Sequence, residues 1–210
     1  MKYVNLGSTG VQVSELCLGT MTFGKEADRQ TSAAIYRRCR EAGINFFDCA
    51  NVYSSGEAER ILGGLITGER HRLIITTKVG GSMGAGPNRE GLSRRHILQE
   101  CEESLQRLNT DWVDVYFAHR FDPLVPMEES LHAFEMLVQQ GKVRYIGVSN
   151  WAAWQIAGAL GVCALKGFQP IRVIQPMYNL VKRQAEVELM PLAQNAGLGV
   201  MAYNPLGGGV

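Results

Sequence analysis

Residues 44–57 read INFFDCANVYSSGE. Ile44, Phe46 and Phe47 make the kind of apolar run that a β-strand buries, yet the run closes on a carboxylate, Asp48. Tyr53 follows in a segment too polar for a core. In a parallel β/α barrel the site assembles on the loops at the carboxyl ends of the strands, so a buried strand that stops on an ionisable residue is a signal worth following outward.

The same pattern recurs along the chain. Apolar runs lie at 16–19, 73–78, 113–119, 143–149, 171–175 and 199–203. Ahead of them, 2–6 and 11–13 flank Gly7-Ser8-Thr9-Gly10 and read as a hairpin. Helical spacing fills the intervals. Ile97, Cys101, Leu105 and Leu108 fall on one face, Ile35, Cys39 and Ala42 on another, and Leu131, Phe134 and Val138 on a third. Gly43 and Gly141 each stand where a helix stops and a strand begins. Strand and helix in alternation predict a parallel β/α architecture. A dinucleotide fold would carry GxGxxG after its first strand, whereas residues 19–24 read GTMTFG. The expectation is therefore a (β/α)8 TIM barrel with an N-terminal β-hairpin. About seven strands are present, and a full barrel takes about 250 residues. Residues 1–210 are thus expected to form a single barrel domain that is C-terminally incomplete.

Composition narrows the function. The 210 residues are 46% hydrophobic and 20% charged, with net charge +1, which gives no electrostatic reason for a nucleic-acid or membrane partner. Residues 1–10 contain no apolar signal core, and the uncharged stretch 151–165 is shorter than the ~20 residues that span a bilayer. A packed helix is the better reading of that stretch. Cys17, Cys39, Cys49, Cys101 and Cys163 are odd in number with no CxxC pair, so reduced thiols in a cytoplasmic protein are expected, without metal.

The strand ends carry the chemistry. They stop at Asp48, Lys78, His119, Ser149-Asn150, Gln175 and Tyr203. Taken singly, Asp48 reads as a turn or capping residue, Lys78 as a solvated charge and His119 as a structural histidine. Together at one barrel mouth they make a different set. A tyrosine has a pKa of ~10, which a neighbouring ammonium lowers, and a lysine entering the mouth needs a counter-charge such as Asp48. With His119 to hydrogen-bond a carbonyl oxygen, Asp48, Tyr53, Lys78 and His119 suit protonation of an oxygen gaining negative charge.

At these residues the sequence resembles the aldo-keto reductase superfamily over the whole chain. The stretches that carry the resemblance are GTMTFG, FFDCANVYSSGEAERILG, IITTKVG, VDVYFAHRFDP, GKVRYIGVSNW, VIQPMYNLVKRQAE and GVMAYNPLGGG, in that order. The resemblance implies an NAD(P)H-dependent oxidoreductase that reduces aldehyde or ketone carbonyls of small molecules. Tyr53 would be the acid, tuned by Lys78 and Asp48, and His119 would orient the substrate. The cofactor, NADPH with NADH not excluded, would be held by Gly19, Thr20, Met21, Asp48, Ser149, Asn150, Gln175, Tyr203, Asn204, Leu206 and Gly208. Ser149, Asn150 and Gln175 match positions that hold the carboxamide, and Tyr203 the ring on which nicotinamide stacks. Arg120, Phe121 and Trp151 are candidates for the substrate pocket. The family's eighth strand and adenine-side phosphate site have no counterpart in the 210 residues. Two other readings stay open: a nicotinamide-binding regulatory module with little turnover, and an inactive fragment. Substrate identity and homo-oligomer formation are likewise left open.

Overall fold

The computed structural model describes residues 1–209. Two short strands, β1 (Tyr3–Asn5) and β2 (Gln12–Ser14), pair antiparallel as the expected hairpin. Seven strands then form one parallel sheet: β3 (Leu18–Gly19), β4 (Phe46–Asp48), β5 (Ile74–Val79), β6 (Val113–Ala118), β7 (Val143–Ser149), β8 (Ile171–Gln175) and β9 (Gly199–Val200). The helices between them are α1 (Arg29–Glu41), α2 (Glu57–Ile66), α3 (Arg94–Leu108), α4 (Met127–Gln139), α5 (Ala153–Lys166) and α6 (Leu189–Ala196). Each strand pairs with the next in chain order, leaving β3 and β9 as the two edges. A doubly wound sheet reverses its order partway, whereas this one never does. It is an incomplete (β/α)8 barrel carrying an N-terminal hairpin.

The pleat sorts the core into two layers. Phe46, Val115, Phe117, Val173 and Met201 face inward and meet Leu6 and Val13 from the hairpin region. Phe47, Ile75, Tyr116, Ile146 and Ile174 face outward against the helices. The Ser14 amide donates to Asn45 Oδ1 at 2.7 Å, just ahead of β4, so the hairpin sits at the amino-terminal ends of the strands and leaves the carboxyl ends free. Inside the barrel, Gly147 is set by packing: a Cβ there would lie 2.4 Å from the Phe117 ring.

Most expected elements are present with adjusted ends. The face of α3 is as read, with Ile97, Cys101, Leu105 and Leu108 all buried. That of α1 is rotated: Ser32 and Tyr36 are buried, Ile35 and Cys39 half-buried, and Ala42 is an exposed C-cap. A tyrosine hydroxyl bonded to Glu69 at 2.6 Å makes Tyr36 a core residue, which apolar spacing alone overlooked. On α4, Leu137 is buried in place of Val138. Regular pairing in the last strand stops at Val200, and Tyr203 rejoins through an isolated bridge to Met177. Most of the stretch 151–165 lies in α5, packed through Ile156, Ala159 and Cys163, with Trp151 and Ala152 ahead of the helix. No helix among the described residues is long and apolar enough to cross a membrane. The five cysteines are all free.

Candidate active site

Asp48 lies opposite Thr76 in the β4–β5 register, and Lys78 is two residues further along the same face. Asp48 Oδ2 accepts from Lys78 Nζ at 2.6 Å, and Oδ1 accepts from Thr76 Oγ1 at 2.6 Å and Gln175 Nε2 at 3.0 Å. Lys78 Nζ also donates to the Cys49 carbonyl at 2.7 Å and to the Tyr53 hydroxyl at 3.2 Å. The ammonium thus has three acceptors for its three N–H groups. Lys78 has no exposed surface. Burial opposes its charge, but Asp48 and Tyr53 more than offset that and its pKa is raised.

Tyr53 is the point where expectation and structure differ. Lys78 does favour the phenolate, but burial acts more strongly, and the tyrosine pKa ends above its ordinary value. Tyr53 is therefore a neutral phenol with a proton to give. The His119 ring stands edge-on to it, 6.1 Å between centroids at 80°. Burial first, then the Lys78 charge, push the His119 pKa down to about 4, so its imidazole is neutral near pH 7. Tyr53 itself precedes a left-handed turn, with φ of 48° at Ser54, 52° at Ser55 and 89° at Gly56, leading directly into α2. For the two serines that conformation costs roughly 1–2 kcal/mol each. Ser54 Oγ helps hold it by donating to the Phe23 carbonyl at 2.8 Å.

The remaining candidate residues divide into two groups. Thr20 is buried, and its amide and hydroxyl both donate to the Asp48 carbonyl, at 2.9 and 3.0 Å; Gly19 pairs with Asp48 in the sheet. Ser149 Oγ donates to the Gln175 carbonyl at 2.9 Å and accepts from Asn150 Nδ2 at 3.1 Å. Asn150 Nδ2 also reaches the His119 carbonyl at 3.0 Å, and the Tyr203 hydroxyl donates to Asn150 Oδ1 at 2.8 Å. Asn150, Trp151, Gln175 and Tyr203 line one cleft, and Gly19, Asp48, Gln175, Tyr203 and Asn204 line the adjoining one. By contrast Met21, Leu206 and Gly208 are exposed, with open space around Gly208. Arg120 is exposed with Nη2 3.5 Å from the Gly80 carbonyl, while Trp151 is buried and packs edge-on against Phe121 at 5.1 Å.

Residues 15–210 match the profile of the Aldo/keto reductase family. The chain belongs to that family. It is 40% identical over 215 residues to a protein of Arabidopsis thaliana named "Probable voltage-gated potassium channel subunit beta", covering all of this chain and 65% of the relative. It is also 40% identical over 221 residues to "Uncharacterized oxidoreductase YrpG" of Bacillus subtilis, covering all of this chain and 68% of that protein. The chain thus spans less than two thirds of the plant relative's length.

Two members of this cluster carry no clear mark in the sequence. Thr76 was legible in principle, since a strand's period of two puts it on the Lys78 face. The Cys49 carbonyl was not, because a backbone acceptor leaves no mark on residue type.

Proposed function

We propose that the chain contributes the proton-donating and nicotinamide-facing surface of a carbonyl reductase acting on aldehydes or ketones. The observation that carries this is the neutral Tyr53 hydroxyl held 3.2 Å from a fully buried lysine ammonium. On a carbonyl oxygen accumulating negative charge, Tyr53 gives up its proton and the phenolate left behind faces Lys78. Asp48 balances the ammonium before and after transfer. Neutral His119 offers an N–H to the same oxygen and adds no second positive charge. Since Asp48, the Cys49 carbonyl and Tyr53 take up the Lys78 donors, the lysine acts through Tyr53 and not on substrate.

The cleft chemistry fits a nicotinamide. The amide groups of Asn150 and Gln175 line the cleft and suit a carboxamide, with the buried Ser149 hydroxyl bonded to both residues behind them, and the Tyr203 ring suits a flat heterocycle. A nicotinamide bound there supplies the hydride that carbonyl reduction needs. NADPH is the proposed form.

The test is Tyr53→Phe in the full-length protein. Carbonyl reduction should fall by about 100-fold or more, with NADPH affinity by fluorescence titration unchanged. Intact turnover would remove Tyr53 from the role. The potassium-channel name of the plant relative favours a second reading, a cofactor-binding regulatory subunit with little turnover. Stopped-flow oxidation of bound NADPH by a reactive aldehyde separates the two: rapid, Tyr53-dependent oxidation supports the reductase.

A further inference from the structure

On the helix side of the sheet, a second group of buried charges lies behind the Tyr53 turn. Glu59 of α2 and Glu100 of α3 have no exposed surface. Arg107 of α3 joins them: Nε donates to Glu59 Oε2 at 2.5 Å, and Nη2 to Glu100 Oε2 at 3.3 Å and Ser104 Oγ at 3.1 Å. Burial opposes the Arg107 charge, and the two glutamates more than offset it. Arg89 lies 3.8 Å from Glu100 Oε1, and Arg60 Nη1 stands beside Arg107 at the Gly56 turn.

The connections of this group run toward the site. Thr77 Oγ1 donates to Glu59 Oε1 at 2.5 Å, and Thr77 immediately precedes Lys78 on the opposite face of β5. Asn51 Nδ2 donates to Glu100 Oε2 at 3.0 Å, just ahead of Tyr53. On the other side of Tyr53, a Cβ at Gly56 would lie 2.8 Å from Arg107 Cδ, so the guanidinium stem packs directly beneath the left-handed turn. Arg107 of α3 is therefore linked through Glu100 to the Asn51 side chain ahead of Tyr53, packs against Gly56 behind it, and through Glu59 reaches the neighbour of Lys78.

Stability is a poor explanation for this arrangement. Buried ion pairs often contribute no more than well-packed apolar residues would. The group is also incompletely satisfied: among the described residues, Asn51 Oδ1 and Glu100 Oε1 have no hydrogen-bond partner. What the network does achieve is geometric, because Tyr53 and Lys78 come from different elements and must meet at hydrogen-bond distance.

We infer that Glu59 and Arg107 are positioning residues that hold the Tyr53 turn and the Lys78 strand in register, so that the 3.2 Å Lys78–Tyr53 contact is maintained. This rests on the reading of Tyr53 as proton donor.

The experiment is Thr77→Val, which deletes the hydroxyl at nearly constant volume, with Thr77→Ser as the conservative rescue. The first readout is the Tyr53 phenol titration in the cofactor-free full-length protein, followed by ζ-¹³C-tyrosine NMR and assigned with Tyr53→Phe. Lys78, Asp48, His119 and Cys49 are the titratable groups around that phenol. Loosening Lys78 should move the titration up by about one pH unit in Thr77→Val, and Thr77→Ser should return it. The second readout is turnover: kcat should drop about tenfold at unchanged KM. An unmoved titration with unchanged kcat, even alongside a lower melting temperature, would overturn the proposal and leave the network purely structural. Should Thr77→Val not fold, Arg107→Lys is read the same way, since it keeps the charge but loses the fork that bridges both glutamates. The two readings fail separately. Full turnover in Tyr53→Phe defeats the proton-donor role, whereas an inactive Tyr53→Phe with an unmoved Thr77→Val defeats the positioning role alone.

Discussion

Lys78 donates to the Tyr53 hydroxyl across 3.2 Å from a side chain that has no solvent exposure at all. A buried ammonium is sustained only by what surrounds it, and here the charge is balanced by Asp48 at 2.6 Å. Lys78→Met removes the cation and strands that carboxylate. Urea unfolding should show a loss of about 3–5 kcal/mol. Adding Asp48→Asn to Lys78→Met should recover part of this loss, because the stranded charge goes with it. A double variant no more stable than the single one would mean that Asp48 is relieved by solvent instead.

The contrast between the two faces of β5 explains what sequence could reveal. Lys78 and Asp48 were readable because each ends an apolar run, and parallel strands bring such ends together. Thr77 and Glu59 were not. Their partners are Glu59 and Arg107, and Arg107 lies 48 residues beyond Glu59 on a helix whose charges look solvated in sequence. Likewise the ammonium beside Tyr53 was foreseeable, but the burial that outweighs it belongs to the assembled barrel. Rim residues Met21, Leu206 and Gly208 were reached through resemblance alone, and they make no bond to the cluster that would single them out physically.

Acid should destabilise the fold partly through His119. Its folded pKa of about 4 lies below the ordinary value of ~6.5, so the unfolded chain takes up the proton first as pH falls. The contribution is fully present above pH ~6.5 and is lost progressively down to pH ~4, amounting to about 3 kcal/mol. Comparing urea unfolding of the wild type and His119→Asn at pH 7 and pH 4.5 isolates this share from that of the carboxylates. The difference between the two proteins should shrink at low pH, and a pH-independent difference would contradict the half-buried neutral imidazole.

Gly147 should tolerate no side chain. Its Cβ would lie 2.4 Å from Phe117 Cε1, in an interior that also holds Val115 and Val173. Gly147→Ala is expected to cost about 1–3 kcal/mol through overpacking. Phe117→Leu in the same chain should restore most of that, because it removes the ring that clashes. Chemical denaturation of the three variants measures the coupling, and simple additivity would show that the ring moves aside without cost.

In the proposed nicotinamide site, variants of Tyr203 separate the contribution of the ring from that of the hydroxyl. Its hydroxyl donates to Asn150 Oδ1 at 2.8 Å, and Asn150 in turn bridges the His119 carbonyl and Ser149. Tyr203→Phe keeps the ring and deletes one hydrogen bond, worth about 0.5–1.5 kcal/mol, so the Kd for NADPH should rise by at most about tenfold. Tyr203→Ala also removes the flat surface, and should weaken binding by about a further tenfold. Fluorescence titration of the full-length variants reads both steps. If Ala binds NADPH as tightly as Phe, the ring contributes no stacking surface, and the exposed face of Tyr203 must serve something other than the nicotinamide.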